Sequence, residues 1–279
     1  MDWSLVLASQ GIEHIIDRNE DEGEAAGWTL SVSEADHERA LAQIRQYRLE
    51  NRHWRWRQPV LQQPGLIFDW SSLVWLGLNI FFFWWSETRA DLRLKGMMDA
   101  AAVAQGEWWR LFTATWLHAD PAHLATNLVF GFVFVGLVMG RYGAGVGLLA
   151  AYLAGVGGNL AAWLVYGENH RGLGASGVVM GALGLFTIQS VTLLKQRNAN
   201  ALRLFASGIF AGVLLFVLLG TNPEADVVAH LGGFITGLLL GSLLALAPRL
   251  SHRPPVNLAA GILFATLVIL PWLRALAAR

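Results

Sequence analysis

After a polar opening of some sixty residues, apolar stretches recur at about 66–85, 121–140, 144–166, 174–194, 202–220, 226–247 and 257–273. Most are near twenty residues, enough to cross a hydrocarbon layer of about 30 Å at about 1.5 Å per residue. The pattern predicts an all-α polytopic membrane protein with seven spans: a six-span core over 66–247, then a linker and seventh helix over 248–279. Ahead of it, residues 1–55 read as a small α+β soluble module and 56–65 as a juxtamembrane linker. Within the module, residues 3–16 carry apolar positions at mixed spacing and 18–24 form an acidic linker. Trp28, Leu30 and Val32 alternate with polar residues as in a half-buried strand. Ser33 followed by Asp36 predicts a capped helix over 35–49. The polar start shows no short apolar region behind a basic stretch, so the spans are expected to serve as their own insertion signals.

Charge gives the spans a direction. With the N-terminus in the cytoplasm, Arg141, then Lys195, Arg197 and Arg203, then Arg249 and Arg253 fall on the inner side, and the acidic loop 221–226 falls outside. That agrees with the positive-inside rule, against which only Arg274 and Arg279 stand. Arg52-His53-Trp54-Arg55-Trp56-Arg57 reads as a cytoplasmic anchor before the first span. Residues 86–117 are too polar to cross and too apolar to float free. An interfacial loop is expected there, with Trp109 as an anchor and Arg110 toward lipid phosphate.

Composition narrows the chemistry. Charged residues are 14% of the chain, against about 25% in soluble domains, and mean hydropathy is +0.44, with 13 Trp and 30 Gly. Twenty basic residues balance twenty acidic ones, so nothing points to nucleic acid. The absence of cysteine excludes disulfides, a cysteine nucleophile and thiolate metal sites. There is no H-E-x-x-H, no aspartate pair at membrane depth, and His118 with His123 and Asp120 makes a poor metal site. No metal or other cofactor is expected.

Polar groups at membrane depth are costly and mark function by default. They are few: Asp69 at the edge of the first span, His118 and His123 entering the second, Asn127, Asn159, Ser176 opening the fourth, and His230 in the sixth. His123 and Asn127 are four apart and share a helix face. Such a pair could glue helices together or stabilise an oxyanion near the outer surface. Gly177, Gly181 and Gly184 line one side of the fourth span, and Gly233, Gly237 and Gly241 follow His230 along the sixth. Stripes of this kind let helix backbones approach closely. Packed along them, the two spans would bring Ser176 and His230 together, a nucleophile beside a base.

These residues resemble the rhomboid intramembrane serine proteases over about 66–247. Trp109-Arg110, His123-x-x-x-Asn127, Gly174-x-Ser176-Gly177 and His230-x-x-Gly233-x-x-x-Gly237 follow one another in that family's order. The resemblance implies a rhomboid-like six-helix catalytic core plus one C-terminal helix. It also implies a serine endopeptidase whose dyad, Ser176 and His230, has no acid. His123, Asn127 and the Ser176 backbone N–H would hold the oxyanion, with Gly174 shaping the loop beneath. Substrates would be single-span membrane proteins cut within the lipid bilayer, and the enzyme a multi-pass protein of the cell's inner (plasma) membrane. Met180 stands where the family often has an aromatic residue stacked on the histidine, and Met139 where many members carry glutamate. The competing expectation is a non-proteolytic rhomboid-like protein that binds membrane clients; such relatives typically lack the serine or the histidine that this chain keeps.

Overall fold

The computed structural model describes residues 2–18, 28–51, 67–188, 201–221 and 226–278, and divides into two compact units, Met1–Pro64 and Gly65–Arg279. The basic Arg52–Arg57 cluster, the acidic linker beyond Arg18, Lys195 and Arg197 lie outside the described residues.

The first unit holds α1 (Asp2–Ser9), an antiparallel pair β1 (His14–Arg18) and β2 (Trp28–Val32), and α2 (His37–Glu50). Leu7, Ile12 and Ala40 form its small core, with Val32 and Ile44 packed against them. Ser33 caps as its spacing predicts, its Oγ accepting from the Asp36 N–H at 3.2 Å. A single 3-10 turn, Glu34–Asp36, intervenes, so α2 starts two residues later than the apolar spacing suggests.

The second unit contains α3 (Ser72–Thr88), α4 (Ala90–Gly96), β3 (Met98–Asp99), α5 (Ala100–Ala104), α6 (Arg110–Thr113), α7 (Pro121–Tyr142) and α8 (Ala144–Tyr166). After these come β4 (Arg171–Gly172), α9 (Ser176–Ile188), α10 (Ala201–Gly220), α11 (Val227–Leu246), α12 (Pro248–Ser251) and α13 (Pro254–Ala277). Apolar helices occupy all seven expected places. Among the described residues, α7, α8, α11 and α13 are long and apolar enough to cross a membrane, while α9 and the apolar part of α10 are shorter. The protein is an all-α multi-pass membrane protein. The first span begins later than its apolar run. Asp69 Oδ1 accepts from the Ser71 N–H at 2.9 Å and Oγ at 2.6 Å, a local turn that lets the helix start only at Ser72. The Phe68 ring instead fills the space that Gly136 leaves open on α7.

Glycine sets how the central helices meet. A Cβ on Gly233 would enter the carbonyl oxygen of Gly177, one on Gly237 that of Gly181, and one on Gly184 that of Phe234. Gly158 of α8 faces the Ala229 carbonyl in the same way, and a Cβ on Gly155 would stand 2.9 Å from the Val178 nitrogen. Helices α8, α9 and α11 therefore pack backbone to backbone, a separation that only residues without side chains permit. On the outer side of α8, α13 is fixed at both ends. Asn257 Oδ1 accepts from the N–H groups of Gly145 and Val146 at 3.1 and 3.2 Å, capping a helix it does not belong to. Trp272 stacks on Phe82 with ring centroids 5.0 Å apart.

The segment between α3 and α7 is folded more firmly than an interfacial loop requires. Arg110 does not reach toward headgroups. Its guanidinium donates to Glu107 at 2.5 Å and to the carbonyls of Leu94 and Met97 at 2.7 and 2.8 Å, and is almost covered. Five donors in a rigid fork suit a buried loop with several free carbonyls better than a single lipid phosphate. Asn159 of α8 donates to the Leu111 carbonyl at 2.8 Å, and Trp163 to that of Ala100 at 3.2 Å.

Two glycine substitutions separate close packing from helix propensity. Gly237→Ala should lower thermal stability in detergent by about 1–3 kcal/mol, the usual cost of overpacking. Gly77→Ala, where a Cβ meets open space, should be neutral or mildly stabilising. Equal effects would contradict the backbone contact.

Candidate active site

Ser176 is the first residue of α9, and His230 lies within the first turn of α11. The first close contact of the two helices is between Gly177 and Gly233, one residue after the serine and three after the histidine. Both side chains therefore sit at the same end of the same contact. Ser176 is partly exposed and His230 is buried.

The loop before the serine is held by four separate elements. The Gly174 N–H donates to the Ala114 carbonyl at 3.0 Å, and the Ala175 N–H to His118 Nε2 at 3.4 Å. Upstream, β4 pairs with β3, and Arg171 Nε meets Asp99 Oδ2 at 3.0 Å. His170 Nε2 lies 3.0 Å from Asp226 Oδ2, while the other oxygen of Asp226 caps α11 at the Ala229 N–H, 2.9 Å. That aspartate thus ties the loop leading to the serine to the helix carrying the histidine. Trp109 and Arg110 act one step back, folding the loop that presents Ala114 and His118.

Gly174 has φ +138°, a conformation other residues rarely adopt. A Cβ there would also lie 2.8 Å from His123 Cε1 and 3.7 Å from Ser176 Oγ. The His123 imidazole therefore lies across the glycine, close to the serine hydroxyl. Asn127, one turn further along α7, is buried, and its Nδ2 has no hydrogen-bond partner. A buried amide donor without an acceptor is expensive. It is what a site built to receive an oxygen would present. The Val178 and Val179 N–H groups are taken by the Ala175 carbonyl at 2.9 and 3.0 Å, which leaves those of Ser176 and Gly177 at the positive end of α9, where a negative charge is favoured.

His230 Nδ1 is 2.9 Å from the Gly220 carbonyl at the end of α10. A carbonyl can only accept, so Nδ1 carries the proton and Nε2 is left as the basic nitrogen. His118, fully buried before α7, packs edge-on against His123 with ring centroids 5.2 Å apart. Burial, followed by the charge of His123, pushes its pKa down to about 3, against the opposing pull of the Trp116 carbonyl and Asp120. It stays neutral and accepts the Ala175 N–H.

The sequence singled out Ser176, His230, His123, Asn127 and Gly174, and the structure gathers them at one end of α7, α9 and α11. It adds His118, Asp226, His170 and the Gly220 carbonyl. Asp226 had a legible signal, an N-cap three residues before Ala229. A backbone carbonyl has none.

A family profile described as the rhomboid domain matches residues 105–247. Among curated proteins, the chain is 30% identical over 175 residues to RHOMBOID-like protein 5 of Arabidopsis thaliana, covering 61% of this chain and 55% of that one. It is 32% identical over 154 residues to the rhomboid protease GluP of Bacillus subtilis, covering 54% and 29% respectively. It is 26% identical over 194 residues to rhomboid-like protease 3 of Toxoplasma gondii, covering 66% and 72%. The chain thus spans about half the length of the first of these relatives.

The lowered pKa of His118 fixes a pH dependence. An unfolded histidine titrates near 6.5, so below that value the unfolded chain binds a proton that the native site refuses. Stability should be fully present above pH 6.5. It should fall by up to about 1.4 kcal/mol per pH unit as pH drops toward 3, and His118→Gln should flatten that slope in thermal unfolding. An unchanged slope would show that His118 is not held neutral.

Proposed function

Because the chain belongs to the rhomboid family, we propose that it is an intramembrane serine endopeptidase that cuts transmembrane segments near the outer membrane face with a Ser176–His230 dyad. The observation that carries this reading is the glycine-seated contact of α9 with α11, which sets the two side chains at one end of one helix pair.

His230 Nε2 takes the Ser176 Oγ proton as that oxygen attacks the scissile carbonyl. The carbonyl oxygen becomes an oxyanion, met by Asn127 Nδ2, the His123 imidazole and the Ser176 N–H. Donors fixed in a low-dielectric site stabilise that charge without reorganising. The intermediate collapses, His230 passes its proton to the departing amine, and an ester remains on Ser176. Water, deprotonated by His230, then attacks the ester and returns the hydroxyl. Irregular backbone such as the 170–175 loop is tolerated at membrane depth only beside protein or water, which fits a site that must admit water.

An intact helix hides its peptide bonds, so the substrate must unwind at the cut. Single-span membrane proteins with helix-destabilising residues near the scissile bond meet that need. In this reading residues 66–247 are the catalytic core in the plasma membrane, and 1–55 a module on the cytoplasmic side that the Lys and Arg placement favours.

Purified protein with one membrane substrate tests the proposal. Ser176→Ala and His230→Ala should each abolish cleavage while thermal unfolding is preserved. His123→Ala or Asn127→Ala should lower kcat by roughly 10²–10³, the usual loss for one oxyanion donor. Cleavage at the parent rate without the Ser176 hydroxyl would falsify the dyad.

A further inference from the structure

We propose that the C-terminal end of α10 is the third, positioning member of the site, its Gly220 carbonyl holding His230 as a carboxylate does in a three-residue triad. The inference rests on the dyad reading above and adds to it the group that orients the base.

Four observations carry it. The His230 Nδ1–H donates to Gly220 at 2.9 Å in a buried setting. The last four carbonyls of any helix lack intrahelical partners. Here Val217 receives the Thr221 hydroxyl at 2.6 Å and Gly220 receives His230. The nearby carboxylate is already engaged: Asp226 divides its oxygens between the Ala229 N–H and His170. The position where an aromatic ring is expected against the histidine holds Met180, whose sulfur lies 3.4 Å from where a Gly220 Cβ would stand. The thioether supports the helix end, and the helix end holds the ring.

The arrangement suits the chemistry. A backbone carbonyl fixes the tautomer with Nε2 free. The negative end of a helix dipole favours the imidazolium that forms when Ser176 is deprotonated. It also makes the base depend on a helix that is lightly held. Among the described residues α10 rests on Phe234 through Phe216, ring centroids 5.0 Å apart, and on Thr187 at Gly212. Phe210, Val213, Val217 and Leu218 face outward. When α10 shifts, His230 loses the acceptor that orients it, so the position of this span bears on reactivity as well as packing.

The test weakens that one carbonyl without adding bulk. Replacing Thr221 by its α-hydroxy acid turns the 220–221 link into an ester, a poorer acceptor, and the same change at the exposed Leu214 of α10 serves as control. The readout is the rate at which a small fluorophosphonate labels Ser176 in the full-length protein, which needs the base but not entry of a membrane substrate. The 221 ester should slow labelling fivefold or more with thermal unfolding preserved, and the 214 ester should leave it unchanged. Equal labelling in both would overturn the proposal. A second readout does not depend on the variant folding: in histidine-labelled wild type, the nitrogen resonances of His230 should report a protonated Nδ1, and a protonated Nε2 in the neutral ring would overturn the proposal. Wild-type protein that resists labelling altogether, while its His230 shows the Nδ1 tautomer, would sink the dyad reading and leave the contact as packing.

Discussion

The contact on which the site depends is between backbones. Helices α9 and α11 meet with the carbonyls of Gly177 and Gly181 set into the spaces left by Gly233 and Gly237. In lipid no hydrophobic force favours helix association, so close packing and small residues must supply it. A single methyl at these positions would push the helices apart. Ser176 and His230 sit at the end of this contact, so a small separation would be felt as a lost proton transfer before it was felt as unfolding. Helix α8 repeats the device on the other side through Gly155 and Gly158. The nucleophile is therefore framed by three helices whose spacing is fixed by absent side chains.

A second layer fixes the loop. Gly174 can take its left-handed φ, but something must hold it there, and the Ala114 carbonyl and the neutral imidazole of His118 do so. Those two are presented by the segment between α3 and α7, which is itself clamped by Arg110, Thr113 and Asn159. A loop that would otherwise be a liability at membrane depth becomes a folded platform. The path from Arg110 to Ser176 passes through named hydrogen bonds, which explains how a residue outside the site can matter to it.

Much of this was legible in the sequence where a periodicity or a composition carried the signal. The apolar runs located the helices, and the glycine stripes after Ser176 and His230 identified the faces that meet, because both features repeat along one element. The start of the first span is misplaced by its apolar run because apolarity at Ile67 and Phe68 does not distinguish a helix from a non-helical segment whose Phe68 ring fills the Gly136 notch. From sequence Arg110 points outward, because a cation beside tryptophans at an interface has a familiar destination, whereas its carbonyl partners are sixteen and thirteen residues away. Spacing offers His118 only as a poor metal ligand, and cannot show that its ring nitrogen meets the Ala175 N–H. The partner of His230 was invisible for a stronger reason: it is a main-chain oxygen, which every residue has.

The central claim is that Ser176 and His230 form one reactive pair. A chloroisocoumarin tests it most directly, because it first acylates a serine and then alkylates a base within reach of that acyl group. Mass spectrometry of the digested adduct should recover the peptides of Ser176 and His230 joined through a single inhibitor. An adduct that joins Ser176 to any other side chain, or that forms on a different serine, would contradict the account.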